Sequence, residues 1–157
     1  MKNKYYSLNA ILSRSATYNI VFGERSNGKT YAVLEHGLKA FWARREQLAI
    51  IRRWQDDFIG KRGQMMFANL VCNGEGKNIV SKITDGEWTD IYYFASKWYL
   101  ARWDEETGKR VTMEEPFAFG FALSAQEHDK STSYPNIKTV LFDEFITRGT
   151  YLSDEFI

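Results

Sequence analysis

The sequence predicts an α/β fold with a mostly parallel sheet and an antiparallel meander in its second half. Within residues 18–52, an apolar run, a glycine-containing loop, an amphipathic stretch and a second apolar run follow one another. That order is typical of a parallel sheet with a right-handed crossover. Between residues 79 and 123, short aromatic runs alternate with turn residues, which is typical of antiparallel strands.

Length and composition are those of one globular domain. The chain has 157 residues, of which 44% are hydrophobic and 26% charged, a balance found in soluble proteins. No apolar run approaches the roughly 20 residues needed to span a bilayer, and residues 1–6 do not resemble a secretion signal. The single cysteine, Cys72, excludes an internal disulfide and favours a reducing compartment such as the cytoplasm. We therefore expect no membrane association.

Charge is unevenly distributed along the chain. Residues 1–62 contain 12 Lys or Arg and 5 Asp or Glu, a balance of 12 − 5 = +7, whereas residues 63–157 contain 9 and 15, a balance of 9 − 15 = −6. This polarity suits a protein that offers a basic face to a polyanion such as DNA. Equally, some of the cations could hold nucleotide phosphates while the others are solvated.

The first half of the chain predicts two strands and two helices. Tyr18 to Phe22 is expected to be a buried strand, and a helix is expected from Lys29 to about Arg45, where apolar residues recur at helical spacing. A second buried strand is predicted from Gln47 to Arg52. A second helix, interrupted by glycines, is predicted from Asp56 to about Leu70.

The second half predicts the meander and one more buried strand. The predicted strands of the meander contain residues 91–94, 98–100, 110–113 and 117–123. A loop rich in Ser, Thr, Lys and Asp occupies residues 124–135. The buried strand is expected from Ile137 to Phe142 and ends in the acidic pair Asp143-Glu144.

The clearest motif lies between the first strand and the first helix. Residues 23–30 match G-x-x-x-x-G-K-[ST] at every fixed position, the pattern of a phosphate-binding loop (P-loop). Glycine lets backbone N–H groups approach phosphate oxygens, lysine reaches the β- and γ-phosphates, and the threonine hydroxyl is a Mg²⁺ ligand. The motif predicts ATP and Mg²⁺ as cofactors. The predicted nucleotide-binding residues are Gly23, Glu24, Arg25, Ser26, Asn27, Gly28, Lys29, Thr30 and Tyr31.

The acidic pair completes the predicted site. Open α/β sheets bind ligands at the carboxyl ends of their strands, where Asp143 is expected to hold the magnesium or its water shell, together with Thr30. Glu144 can polarise a water for attack on the γ-phosphate and is the predicted catalytic base. An adjacent glutamate favours NTPases that hydrolyse ATP over kinases, which must keep water away from the phosphate.

Further basic residues leave alternatives open. Arg25 could reach the γ-phosphate from its own loop or be solvated. One of Arg52 and Arg53 is expected to face the site or DNA, and the other a carboxylate. Lys130 could contact the nucleotide of a neighbouring subunit, although a solvated loop lysine is the commoner outcome. Arg25, Lys29, Lys130 and Glu144 form the predicted catalytic set.

Other residues suggest no additional chemistry. Cys72, His36 and His128 lack metal-ligand spacing and are expected to be packing or surface residues. The aromatic residues between 92 and 103 are expected to form β core rather than a base-stacking platform.

Three segments together resemble a known family. The phosphate loop, residues 50–53 (Ile-Ile-Arg-Arg) and residues 133–146, which include Tyr-Pro-Asn and Phe-Asp-Glu-Phe-Ile, are similar to the DNA-packaging (encapsidation) ATPases of small tailed phages, of the phi-twenty-nine type. The resemblance runs from about Leu12 to Ile146, and the meander matches in outline.

The resemblance implies a fold, a function and partners. The fold would be a P-loop NTPase of the additional-strand catalytic glutamate (ASCE) class. The function would be that of the N-terminal domain of an ATP-hydrolysing motor that drives double-stranded DNA into a preformed capsid. Its partners would be DNA, a portal protein, further copies in a homo-oligomeric ring (commonly a pentamer) and, in some members, a structural RNA. It would act in the host cytoplasm, at the portal vertex of the viral procapsid.

The chain also departs from the pattern, since family members continue with a sensor strand and a nuclease-like domain. Residues 1–157 are therefore expected to be an incomplete N-terminal ATPase domain whose sheet lacks a central strand. Two other functions stay open at this point. One is another P-loop machine, such as a helicase or a secretion-type ATPase, and the other is a nucleotide-binding regulator without turnover.

Overall fold

Six strands form one mixed sheet in the computed structural model, which describes residues 6–22, 28–128 and 132–143. The strands are β1 (Gln47–Arg52), β2 (Asp90–Phe94), β3 (Lys97–Asp104), β4 (Lys109–Thr112), β5 (Ala118–Ala122) and β6 (Ile137–Phe142). Their order is β2-β3-β5-β1-β6, with β4 paired to β3. β1 is parallel to both β5 and β6, whereas β3 is antiparallel to β2, β4 and β5. The predicted α/β fold, with a meander that leads back to parallel strands, is confirmed, and the sheet is mixed, because three of the five described strand pairings are antiparallel.

One long helix accompanies the sheet, together with short helical segments. The α-helices are α1 (Asn9–Leu12), α2 (Lys29–Arg44), α3 (Lys61–Met65), α4 (Ala68–Val71) and α5 (Ile79–Ile83), and 3-10 turns occupy Gln55–Phe58 and Leu123–His128. α2 confirms the helix predicted after the phosphate loop. Within the described ranges, each helix is too short or too polar to cross a membrane.

The core lies between α2, the short helices and one face of the sheet. Leu38 and Phe41 of α2 are fully buried, as are Leu48 and Ile50 of β1. Trp98 of β3 is also fully buried, and its indole N–H donates to the Gly63 carbonyl over 2.9 Å. The buried residues of α2 and β1 show that the apolar face of α2 packs on β1, the strand that follows it in sequence.

A bulge interrupts the pairing of β1 with β6. Gln47 is opposite Ile137, but Leu48 is opposite Thr139, so that Lys138 has no counterpart on β1. From there the register is regular up to Ile51 and Phe142. Thr139 and Leu141 consequently share a face with Leu48 and Ile50, the face that α2 covers.

The predicted first strand is wrong. Residues 18–22 lie outside the sheet, and the side chains of Tyr18, Ile20 and Phe22 are 88%, 71% and 71% exposed. A strand requires a neighbour that offers backbone N–H and C=O groups. In the described parts of the chain, β1 is the one strand paired with β6, and residues 18–22 have no strand beside them. The predicted strand–loop–helix–strand unit is therefore a loop–helix–strand unit here.

Two other predictions are corrected. Instead of one helix, residues 56–70 contain a 3-10 turn, α3 and part of α4, and Ile59 is 58% exposed rather than buried. Gly60 separates the first two segments because its φ of +54° with ψ of −125° is not helical. At the start of the predicted meander, residues 79–83 form α5, whose N-cap Asn78 side chain accepts the N–H of Ser81.

Some residues that the sequence predicts to be buried are exposed in the structure. β6 has the expected bounds but is not buried, since Val140 is 58% exposed and Lys138 is exposed. Among the aromatic residues of the meander, Trp98 is core as expected, but Phe94 and Trp103 are more than 60% exposed. In both cases one face of the sheet is not covered by a described helix.

Gly120 on β5 provides a test of core packing. A Cβ at this position would lie 2.7 Å from the Phe58 ring and 3.1 Å from Trp98, and both rings are buried. Gly120→Ala should therefore lower the free energy of unfolding by about 1–3 kcal/mol, measured by urea denaturation. Gly74→Ala is the matched control, because a Cβ there meets nothing within 4 Å. Equal stability of the two variants would contradict the packing described.

Candidate nucleotide-binding site

The N-terminus of α2 contains the described part of the predicted phosphate loop. Gly28 is the N-cap residue, with φ +85° and ψ +13°, a left-handed conformation that other residues adopt at a cost. Its carbonyl accepts the N–H of Ala32 over 2.9 Å. Lys29 and Thr30 are then the first two residues of a 16-residue helix, whose N-terminal N–H groups and dipole favour a bound anion.

Asp143 lies directly after β6. Its backbone N–H donates to the carbonyl of Ile51 over 3.2 Å, so the pairing of β6 with β1 extends to this residue. By the register after the bulge, Asp143 points to the face that α2 covers. The parallel arrangement places this carboxylate beside the end of β1, where Arg52 is the last residue.

Thr30 and Asp143 are in contact although 113 residues separate them. The Thr30 hydroxyl donates to Asp143 Oδ1 over 3.2 Å in a partly buried position. The structure thus joins the end of the phosphate-loop motif to the first acid of the acidic pair, as the sequence predicts for a shared site.

Arg52 binds the other oxygen of the same carboxylate. Its Nη2 donates to Asp143 Oδ2 over 2.9 Å, and the two side chains are 22% and 17% exposed. Of the two arginines at the end of β1, Arg52 thus both faces the site and contacts a carboxylate, whereas Arg53 is buried at 5% exposure. Charge-assisted bonds in partly buried positions are strong and directional, so Arg52 fixes the orientation of Asp143.

Thr30 and Asp143 fit a magnesium ion. Neighbouring ligands of an octahedral Mg²⁺ with bonds of about 2.1 Å lie about 3 Å apart, and the hydroxyl and carboxylate oxygens here are 3.2 Å apart. Both are hard oxygen donors, which Mg²⁺ prefers. The described residues contain no cluster of three or more His, Cys, Asp or Glu side chains that would form a site of another kind.

The structure describes part of the predicted site. Gly28, Lys29, Thr30, Tyr31 and Asp143 are described, and Tyr31 packs against the core. Gly23, Glu24, Arg25, Ser26, Asn27, Lys130 and Glu144 lie outside the described residues. Cys72 is exposed, as expected for a surface residue. Burial lowers the pKa of His36, and the cation of Arg44 lowers it further.

Comparison with known proteins places the sequence among phage packaging proteins. Residues 1–156 match the family model of the Podovirus DNA encapsidation protein (Gp16). The chain is 25% identical over 146 residues to the DNA packaging proteins of Bacillus phages PZA and phi29, covering 92% of this chain and 36% of each relative. It is 29% identical over 136 residues to that of Bacillus phage B103, covering 87% and 34%. The chain therefore spans about a third of the length of these relatives.

Solved structures share the fold. The crystal structure of the N-terminal domain of the DNA packaging ATPase from bacteriophage phi29 superposes with a TM-score of 0.70 at 23% identity, covering 96% of this chain and 66% of that chain. The viral genome packaging motor assembly of bacteriophage phi29 gives a TM-score of 0.62 at 22% identity, covering 96% and 39%. At these identities the likeness shows a common fold.

The pair Arg52–Asp143 should stabilise the folded chain. We expect a coupling of about 1–3 kcal/mol between the two side chains in a double-mutant cycle of Arg52→Met and Asp143→Asn, because a charged hydrogen bond is shielded from water. Urea denaturation of the four proteins measures it.

The exposed pair Arg44–Glu46, with N–O distance 2.8 Å and side-chain exposures of 58% and 31%, is the matched control. Its coupling should be much smaller and should vanish in high salt. A coupling of Arg52 with Asp143 no larger than that of the control pair would contradict the role given to Arg52.

Proposed function

The chain belongs to the Podovirus DNA encapsidation protein (Gp16) family, and from this membership we propose that it is the ATPase part of a motor that moves double-stranded DNA into a preformed capsid. The proposal includes a P-loop fold of the ASCE class. The observation that carries it is the contact between Thr30 and Asp143. A hydroxyl at the start of a helix beside a carboxylate at a strand end is the magnesium-binding arrangement of P-loop enzymes.

Each residue of the site then has a role. Lys29 and the backbone N–H groups of the phosphate loop bind the β- and γ-phosphates, and the N-terminus of α2 adds its positive end. Thr30 and Asp143 would hold Mg²⁺, which neutralises phosphate charge when bound. Arg52 keeps Asp143 in its orientation. Glu144, adjacent to Asp143, accepts a proton from the attacking water.

Arg25 and Lys130 are proposed to act on charge that develops during hydrolysis. Arg25 belongs to the phosphate loop and would reach the γ-phosphate of its own subunit. Lys130 precedes the Tyr134-Pro135 segment and would reach the nucleotide of a neighbouring subunit. Cations placed at a transferring phosphoryl group stabilise its transition state.

The proposed partners follow from the family. They are double-stranded DNA, the portal protein, other copies of the chain in a ring, which we propose to be a pentamer, and a structural RNA in some members. The place of action is the portal vertex of the procapsid in the host cytoplasm. A solved motor assembly shares the fold, and the named relatives are packaging proteins, which favours packaging over a helicase or a secretion-type ATPase.

Substitution of Glu144 distinguishes a motor that hydrolyses ATP from a regulator that only binds it. Glu144→Gln should leave ATP affinity nearly unchanged and lower ATP turnover about 100-fold or more, because the amide cannot accept the proton from water. Glu105→Gln, at the exposed turn after β3, is the matched control and should keep full turnover. Turnover by Glu144→Gln equal to that of the wild type would favour a regulator that binds nucleotide without using it.

Affinity for double-stranded DNA should be independent of base sequence and fall steeply with salt, since contacts to phosphates release counterions. Fluorescence anisotropy with two unrelated duplexes at several salt concentrations measures both properties. Binding that selects one duplex and is insensitive to salt would contradict a packaging role.

A further inference from the structure

Exposed aromatic rings lie on one side of the meander. Trp98 and Leu100 of β3 point into the core and are fully buried, so the residues that alternate with them point to the opposite side of the sheet. We call that side of β2, β3 and β4 the outer face of the meander. Its aromatic residues are Tyr92, Phe94, Tyr99 and Trp103.

The strand pairings show that these four rings share the outer face. Residues opposite each other in antiparallel strands point to the same side of the sheet. The Arg110 guanidinium on β4 lies 5.2 Å from the centre of the Tyr92 ring on β2, a contact that crosses β3 and agrees with this arrangement. The opposed pairs of the outer face are Tyr92 with Tyr99, Phe94 with Lys97, and Trp103 with Arg110.

Exposure distinguishes the meander from the neighbouring strand β5. Phe119 of β5 lies opposite Lys97 and therefore on the same side of the sheet, but it is only 8% exposed, and the ring of Tyr134 packs against it with 5.1 Å between the ring centroids. Phe94 and Trp103 are 63% and 62% exposed. The structure thus covers an aromatic ring of β5 and leaves two rings of the meander open to solvent, although the sequence predicts them to be core.

Positive charges lie among the rings of the outer face. Lys97 is opposite Phe94, and Arg110 is opposite Trp103. Asp90 is the acid among the outer-face residues of the three strands, and its Oδ1 accepts the N–H of Ile91 over 2.8 Å. With a rise of about 3.3 Å per residue, Lys97 and Trp103 are about 20 Å apart. Rings and cations therefore follow one another over the length of β3.

We propose that the outer face of the meander binds unpaired bases of a single-stranded RNA segment. The inference rests on the proposed function, whose partners include a structural RNA. Surfaces that bind single strands combine aromatic rings, on which bases stack, with cations that follow the backbone. Duplex DNA keeps its bases paired inside the helix, whereas the loops and ends of a folded RNA expose theirs. The exposed rings therefore favour RNA over the transported DNA as the occupant.

A protein partner is the alternative occupant of the outer face. Lysine is depleted in the centres of protein interfaces, whereas Lys97 here lies between Phe94 and Tyr99, across the strand pair from the first and two residues before the second. An ammonium group in that position suits a phosphate between two stacked bases better than it suits an apolar contact. The arrangement of the charges therefore favours a nucleic acid.

The rings are tested with RNA in single-stranded and duplex form. Fluorescence anisotropy of the 157-residue chain with a short labelled RNA strand, alone and annealed to its complement, measures both affinities. Trp103→Ser should weaken binding of the single strand roughly tenfold and leave binding of the duplex unchanged, and Trp103→Phe, which keeps a ring, should retain most of the affinity. Tyr18→Ser, on a ring that is 88% exposed outside the sheet, is the matched control and should change neither affinity.

The cations are tested with salt. Arg110→Gln should weaken binding of the single strand severalfold and reduce the slope of log affinity against log salt by about 0.7, because one fewer phosphate contact releases its counterion. Lys39→Gln, on an exposed side chain of α2, is the matched control and should leave the slope unchanged. Thermal denaturation of each variant checks that the fold is retained.

The outcomes separate this surface from the motor itself. Failure of the wild type to bind the single strand would overturn the proposal and leave a protein as the occupant. Equal weakening of single strand and duplex by Trp103→Ser, or a loss in Tyr18→Ser as large as that in Trp103→Ser, would also overturn it. A chain that binds single-stranded RNA through Trp103 but neither hydrolyses ATP nor binds duplex DNA would instead contradict the proposed function.

Discussion

The double pairing of β1 is the constraint on which the site depends. β1 is hydrogen-bonded in parallel to β5 on one edge and to β6 on the other, and its Leu48 and Ile50 are fully buried beneath α2. A strand held on both edges and one face has little freedom to shift. β1 therefore determines the position of α2, of the end of β6 and of Arg52 together. The contact between Thr30 and Asp143 is a result of this arrangement rather than its cause.

The carboxylate of Asp143 is shared between two partners of different character. The Thr30 hydroxyl approaches one oxygen and the Arg52 guanidinium the other. A magnesium ion would compete with the arginine for the negative charge but could use the oxygen on the Thr30 side without breaking the ion pair. Arg52 thus keeps the carboxylate aligned.

The sequence predicts local features better than those that depend on distant parts of the chain. The start of α2 at Lys29, directly after Gly28, and the bounds of β1 and β6 depend on residues close in sequence, and the structure agrees with each of them. The prediction fails for residues 18–22 because hydrogen-bonding partners, not apolar pattern, decide whether a strand forms. It fails for the burial of β6 because burial depends on what covers the strand. Arg52, rather than Arg53, contacts Asp143 because the side chains of Arg52 and Asp143 point to the same face of the sheet. That face is set by the register of β1 and β6, which the sequence does not reveal.

The bulge at Lys138 decides the direction of Asp143, the proposed metal-binding acid. Without it, Leu48 would face Lys138 instead of Thr139, and each later residue of β6 would change faces. Phe142 would then point toward α2, and Asp143 would point to the opposite side of the sheet, away from Thr30. One extra residue near the start of β6 thus decides to which face of the sheet each later side chain of the strand points. Asp143, six positions after Ile137, therefore reaches Thr30 only because of that added residue.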